Sequence, residues 1–543
     1  MRIAITIVTL FSLLTAAGLA SSEADKEPTL YTAYNIWRAS KMKCINFKQG
    51  SDIIPAGTMN SGSFTDTPTE AGTYYYGIHA VDTSQNWADE GGPVRVTVNA
   101  VAGGGVLRVH PTNPRYFTDG TGKAIYLTGS HTWSNLIDED DNSPPDQWFS
   151  YNNYLDFMEN RNHNFIRMWS LELFKYQFDS GAYRYAEPNI WQRTGPGSAR
   201  DGNPKFDLTR FNQAYFDRMR SRVIAARDRG IYVSIMLFEG YSVQFATVPS
   251  CWDGHPFNIN NNINEINGNP NGDSRGLEIH TLQVPAVTDI QKAYIRKVIE
   301  TVNDLDNVLY EIGNEIYPGS TDWQYEMINY IKSYEAAKPK QHPVGMTFQH
   351  MGGSNSALFN SPADWISPTD LSGSGDDYRT NPPIATGDKI IVSDTDHLWG
   401  IGGTQAWVWK SFTRGMNPIY MDPWGDFNNP FDPDGDEIIR KSMGYTLAYA
   451  KKMELADMPP SDSTSDCSTQ YCLRNPGNEY LVYQPSSGSF TVNLSAGTYD
   501  YEWFNPDTGA VVDTGTITVS AGSRNFTPPF TGNAVLYLSL SAP

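Results

Sequence analysis

Val308-Leu309-Tyr310-Glu311-Ile312-Gly313-Asn314-Glu315 decides the fold. A short, mostly apolar run of this kind is a strand buried on both faces, as strands of parallel sheets are. It stops at Gly313 and delivers two polar side chains, Asn314 and Glu315. Seven further runs share the form, at 124–128, 165–169, 231–237, 343–347, 364–366, 390–393 and 418–421. Between them, 211–227, 288–305 and 323–335 carry apolar residues at three-to-four spacing, the mark of amphipathic helices. Eight strand–helix units predict an α/β fold, a (β/α)8 barrel (TIM barrel) over residues 106–457. A doubly wound sheet is the alternative, but no Gly-rich phosphate loop follows the first strand.

Barrel enzymes place their chemistry at the carboxyl ends of the strands. Strand one leads into Gly129-Ser130-His131-Thr132-Trp133, strand two into Arg167-Met168-Trp169 and strand three into Phe238-Glu239-Gly240. Strand four gives Asn314 and Glu315, strand seven Asp394-Thr395-Asp396-His397, and strand eight Asp422-Pro423-Trp424. Carboxylates, histidines, an arginine and tryptophans therefore converge on one rim. No metal triad, Ser-His-Asp order or phosphate loop is legible, so no cofactor and no metal is expected.

Two glycine- and proline-marked stretches divide the chain. Ala100 to Gly105 and Pro459 to Ser465 read as linkers. Residues 28–99 are expected to form an N-terminal β domain. There the strand at Gly72 to Asp82, a turn, and Val94 to Val98 resemble the last hairpin of fibronectin- or immunoglobulin-like modules. Residues 475–543 carry short strands separated by turn signals such as Asn505-Pro506-Asp507-Thr508-Gly509, a β-sandwich pattern.

The 543 residues carry a formal net charge of −20, which disfavours nucleic-acid or anionic-membrane partners. With 39% hydrophobic and 13% aromatic residues, the chain is a folded one, and its Trp and Tyr suit either a surface that stacks on sugars or a β-rich core. Met1-Arg2, the apolar stretch Ile3 to Leu14 and small residues up to Ala20 form a signal-peptide pattern over 1–20, so secretion is expected. No apolar run is long enough to span a bilayer. Cys467 and Cys472 sit five apart in a polar loop and are able to close a small disulfide in an oxidising compartment. The segment 267–278 has the spacing of an EF-hand loop, but with Asn at position one, a proline inside and no flanking helices it reads as a polar loop.

Phe165-Ile166-Arg167 with Val308 to Glu315 resembles the pattern of glycoside hydrolase clan A, in which an Arg ends strand two and Asn-Glu ends strand four. Leu107 to Phe117 and Ser393 to Gly400 resemble bacterial cellulase-like barrel proteins that carry a small C-terminal sandwich named for collagen binding. Nothing in these residues shows collagen binding. The resemblance implies a secreted glycosidase acting on a poly- or oligosaccharide, with site roles following residue by residue. Glu315 would be the general acid/base, since a leaving alkoxide needs a proton at neutral pH. Asn314 would bond the sugar 2-hydroxyl, Arg167 would keep the second carboxylate ionised, and Trp424 would floor the central subsite. His131, Trp133, Trp169, Glu239 and His397 would be further sugar contacts. The pattern departs at strand seven, where Asp394 and then Asp396 stand in place of Glu. Asp394 is expected as the nucleophile of a retaining reaction, with Asp396 as the alternative. The protein is expected to be a monomer, and a non-catalytic carbohydrate-binding protein on a degenerate barrel is the competing reading.

Overall fold

The computed structural model describes residues 105–541 except 178–181, 245–249, 351, 372–375 and 424–435, and the backbone of four N-terminal strands. The expected signal peptide, the first linker up to Gly104, and Trp424 lie outside the described residues. The chain forms two compact units, Met1–Ala102 and Gly103–Pro543.

In the first unit, β1 (Tyr31–Ala39), β2 (Ile53–Met59), β3 (Gly72–Asp82) and β4 (Val94–Val98) make an antiparallel sheet of order β2-β1-β3-β4. The β3–β4 pair is the expected hairpin, running from Gly72 opposite Val98 to Tyr76 opposite Val94.

The second unit is built on eight parallel strands: β5 (Gly129–His131), β6 (Phe165–Met168), β7 (Tyr232–Glu239), β8 (Val308–Asn314), β9 (Val344–Thr347), β10 (Trp365–Ser367), β11 (Ile390–Asp394) and β12 (Asn417–Met421). They pair in the order β5-β12-β11-β10-β9-β8-β7-β6, a nearly closed barrel. Every residue of β7 and of β8 is buried, which explains their continuous apolar reading. Helices α1 (Tyr151–Asn160), α2 (Gln213–Arg227), α3 (Pro285–Val302), α4 (Thr321–Glu335), α5 (Gln405–Thr413) and α6 (Glu437–Lys452) supply the outer layer. Asn212 caps α2 through Ala214 N, and proline begins α3, where its missing N–H costs no helical bond.

Strand one differs from its expected position. Residues 124–128 are not a strand of the barrel; Ile125 instead bridges Phe117, and the barrel strand is the polar Gly129–His131. The β5–β6 seam is joined by Asn164, whose N–H reaches Thr128 O at 3.0 Å and whose Oδ1 accepts from Thr128 N at 2.9 Å. A Cβ on Gly129 would lie 2.3 Å from Phe165 O, so the seam closes only with glycine there.

The C-terminal segment is a sandwich. A six-stranded sheet pairs in the order β13 (Pro460–Ser461), β14 (Cys472–Asn475), β15 (Glu479–Gln484), β20 (Ala534–Leu540), β17 (Gly497–Asn505), β18 (Ala510–Val519). It faces the two-stranded sheet of β16 (Phe490–Leu494) and β19 (Gly522–Phe526). Cys467 and Cys472 form a disulfide inside its core, while Cys251 is free and buried. The expected linker is not one: Pro460 and Ser461 pair with Leu473 and Cys472 as an edge strand, a position that tolerates proline. The sandwich also shares an apolar cluster with the barrel, in which Trp409 stacks on Tyr483 with ring centroids 5.9 Å apart.

Candidate active site

The carboxyl ends of the strands open on a cavity of about 970 Å³. Its aromatic walls include Trp133, Trp169, Tyr176, Tyr241, Phe348 and Trp399, and its carboxylates are Glu139, Asp141, Glu239, Glu315 and Asp396.

Beneath the cavity lies Arg167, fully buried at the end of β6. Its guanidinium spreads over five oxygens of four residues. Nε donates to Glu311 Oε2 at 2.9 Å, and Nη2 to Glu311 Oε1 at 2.5 Å and Asn314 Oδ1 at 2.9 Å. Nη1 donates to Asp394 Oδ2 at 2.8 Å and Asp396 Oδ2 at 2.9 Å. Despite the cost of burial, Glu311, Asp394 and Asp396 hold the guanidinium protonated well above its ordinary value. Three carboxylates thus share one buried cation, and Glu311 pairs with it inside the strand rather than at the rim. A charge in the middle of an apolar strand requires such a partner, which was the available signal for Glu311.

Asp394 ends β11 as expected, but it points into this network. Its Oδ1 accepts from His131 Nε2 at 2.8 Å and from Asp396 N at 3.0 Å, and its Oδ2 from Arg167. It is fully buried and does not border the cavity. Burial opposes its charge, yet His131 and Arg167 hold the carboxyl well below the usual range. His131 likewise lies below the cavity surface, its Nδ1 accepting from Trp169 Nε1 at 3.1 Å. That bond fixes the tautomer in which Nε2 carries the proton given to Asp394. His131 is therefore placed as a support for Asp394 and Trp169 rather than as a sugar contact.

Asp394 also caps the single 3-10 turn Thr395–His397 through Asp396 N. The turn carries Asp396 to the cavity, beyond the last residue of the strand. Asp396 Oδ2 is held by Arg167; among the described residues no donor reaches Oδ1. Burial and the charge of Asp394 push its carboxyl up against the pull of Arg167.

Glu315 follows β8 with φ of 47°, a left-handed backbone that a residue with a side chain adopts only under structural constraint. Gln244 Nε2 holds its carbonyl at 2.5 Å. Its carboxylate is 3.4 Å from His350 Nδ1, and this contact raises the His350 imidazole above its ordinary value. One oxygen of Glu315, one of Asp396 and a ring nitrogen of His397 lie within 4.8 Å of one another. Asn314 borders the same space; because Oδ1 faces Arg167, its NH2 is left to donate into the cavity.

Glu239, at the end of β7, also borders the cavity, with Tyr241 N, Ser242 N and Ser242 Oγ donating to it. Burial pushes its carboxyl up to about 7, against those donors and with the help of the charge on Glu315. Trp133, Trp169 and His397 border the cavity as expected. His350, Tyr241, Tyr176 and Trp399 were missed. Extending the strand-end rule to β9 reaches Phe348-Gln349-His350, so the signal for His350 was present. Segment 267–278 is a polar loop held by side-chain turns, Asn271 Oδ1 accepting from Asp273 N at 2.8 Å and Asp273 Oδ1 from Arg275 N at 2.9 Å. Among the described residues, no helix is long and apolar enough to cross a membrane.

Residues 175–351 match the family described as "Domain of unknown function (DUF6298)", and residues 463–537 match "Putative collagen-binding domain of a collagenase". No curated protein matches the chain. Among solved structures, a "putative glycoside hydrolase" from Bacteroides vulgatus aligns with a TM-score of 0.55 at 13% identity, over 94% of this chain and 95% of that one. A glycoside hydrolase family 5 structure from the same organism aligns with a TM-score of 0.50 at 15% identity, over 81% and 94%. The barrel and its β-rich flank are thus a fold shared with glycoside hydrolases.

Proposed function

We propose that the protein is a secreted glycoside hydrolase that cleaves a poly- or oligosaccharide with retention of anomeric configuration. Glu315 is the acid/base and Asp396, not Asp394, the nucleophile. One observation carries this reading: oxygens of Glu315 and Asp396 come within 4.8 Å across the cavity. Retaining enzymes hold their carboxyl groups about 5–5.5 Å apart, whereas inverting enzymes leave about 6.5–9.5 Å for a water.

In the first step Asp396 Oδ1 attacks the anomeric carbon while Glu315 gives its proton to the departing glycosidic oxygen. A glycosyl ester of Asp396 results. Glu315, now a carboxylate, takes a proton from water; the oxygen of that water attacks the anomeric carbon and releases Asp396. Arg167 pulls Asp396 toward its ionised form and fixes it through Oδ2. Asn314 offers its NH2 to the sugar 2-hydroxyl, and Trp133 and Trp169 supply faces for stacking.

The competing carbohydrate-binding reading rests on the missing strand-seven glutamate, and the proximity of Asp396 to Glu315 favours the enzyme over it. A panel of aryl glycosides and polysaccharides tests the proposal. Turnover that Glu315→Gln lowers is expected; sugar affinity without turnover in the wild type contradicts it.

A further inference from the structure

His397 has no assigned work in the reaction above. Its imidazole is fully buried, it borders the cavity, and neither ring nitrogen has a hydrogen-bond partner. Its Nδ1 lies 3.6 Å from Asp396 Oδ2, too far for a hydrogen bond. A buried imidazole with both nitrogens unsatisfied carries a desolvation cost that a ligand relieves.

The surroundings favour a cation. Around this point Glu311, Asp394 and Asp396 share the buried cation Arg167, and Glu315 faces His350. Asp396 retains a free oxygen, and Glu315 is partly exposed to the cavity. Two carboxylates and one imidazole with an open side form a three-ligand set of the kind zinc accepts, with water or another ligand in the fourth position. A mixed nitrogen–oxygen set selects borderline transition metals over magnesium or calcium, which take oxygen alone. The 4.8 Å spread is wider than bonds of about 2.0–2.2 Å allow around one ion, so side-chain rotation of roughly an ångström must accompany binding.

We propose that the sugar-free cavity binds one zinc ion through Glu315, Asp396 and His397, and that this ion excludes substrate. The binding site stands on these side chains alone. Only the exclusion of substrate rests on the glycosidase reading, because the ion occupies both carboxylates that the reaction needs.

Calorimetric titration of the full-length protein with zinc chloride in a non-chelating buffer tests the site. One equivalent is expected, with magnesium failing to compete. His397→Ala, Glu315→Gln and Asp396→Asn should each weaken binding tenfold or more, since even outer-sphere partners of a metal ligand are worth 10–100-fold. Absence of saturable binding, or binding that His397→Ala leaves unchanged, overturns the proposal. Should His397→Ala fail to fold, cobalt(II) added to the wild type keeps the question decidable. A hyperfine-shifted imidazole proton is expected in its NMR spectrum, and its absence overturns the site. On an aryl glycoside that the protein turns over, zinc should inhibit competitively and a chelator should restore the rate. Zinc binding with the expected variant pattern but no glycosidase activity would leave the metal site standing and remove the enzymatic reading; activity indifferent to saturating zinc would remove the exclusion claim.

Discussion

Replacing Asp394 by Asn separates two carboxylates that stand two residues apart. The Asp394 side chain accepts from His131 Nε2, Arg167 Nη1 and Asp396 N at 2.8, 2.8 and 3.0 Å, with no contact with the cavity. An amide of the same shape turns an NH2 toward either His131 or Arg167, so one buried donor loses its acceptor. Breaking a buried ion pair costs about 3–5 kcal/mol, and because Arg167 keeps Glu311 and Asp396 the lower end applies, about 3 kcal/mol. The unit Gly103–Pro543, at about 2.1 cal/mol/K of unfolding entropy per residue, converts this to a Tm lower by about 3 °C if it melts as one transition. Asp394 is held below its ordinary value, so its stabilisation is complete above the unfolded value near 3.9 and is lost as pH falls through the folded one. The Tm difference between wild type and variant should therefore be full at pH 6 and shrink below about pH 4. Turnover of an activated aryl glycoside should fall about 10–100-fold, the worth of one charge-assisted hydrogen bond. Asp396→Asn removes the nucleophile and should cost at least about 10⁴-fold while barely changing Tm. Calorimetry and kcat/KM on both variants decide. An inactive Asp394→Asn with unchanged Tm, beside an active Asp396→Asn, would refute the assignment.

Glu315→Gln should lower kcat/KM about 10²–10⁴-fold on substrates with poor leaving groups and much less on activated ones; equal losses would show that Glu315 is not the acid. Burial pushes Glu172 up to about 8, so its folded form binds more protons than its unfolded form and stability falls as pH rises from about 4.5 to 8. Glu172→Gln should flatten that fall in Tm measured between pH 5 and 8. Trp409→Ala should cost about 3–5 kcal/mol, and truncation after Asp457 should give an insoluble protein, because Trp409, Phe412, Leu447 and Tyr449 lose the apolar face of the sandwich. A soluble, cooperatively melting truncation would show that the shared cluster is dispensable.

The barrel was legible because seven of its strands are apolar runs ended by polar side chains, and the helices between them keep their spacing. Strand one was displaced because Gly129–His131 is short and polar, held at the seam by Asn164 rather than marked by its own hydropathy. Asn314 and Glu315 were legible as cavity residues because Asn314 ends a strand and Glu315 directly follows it. The choice between Asp394 and Asp396 was not legible, since a 3-10 turn begun by the Asp394 side chain redirects the chain after the last strand residue. Period-two reasoning has no purchase there. Pro459 to Ser465 looked like a linker by composition, but an edge strand accepts the same residues, and the aromatic contacts that tie the sandwich to the barrel depend on distant parts of the chain.

The most direct test of the central claim is to trap the glycosyl–enzyme intermediate. The protein is incubated with an activated 2-deoxy-2-fluoro glycoside of a sugar that it turns over, and the labelled peptide is sequenced by mass spectrometry. The account predicts one sugar per chain, carried as an ester on Asp396, and no label in Asp396→Asn. A label on Asp394, or no covalent intermediate together with inverted product, would contradict it.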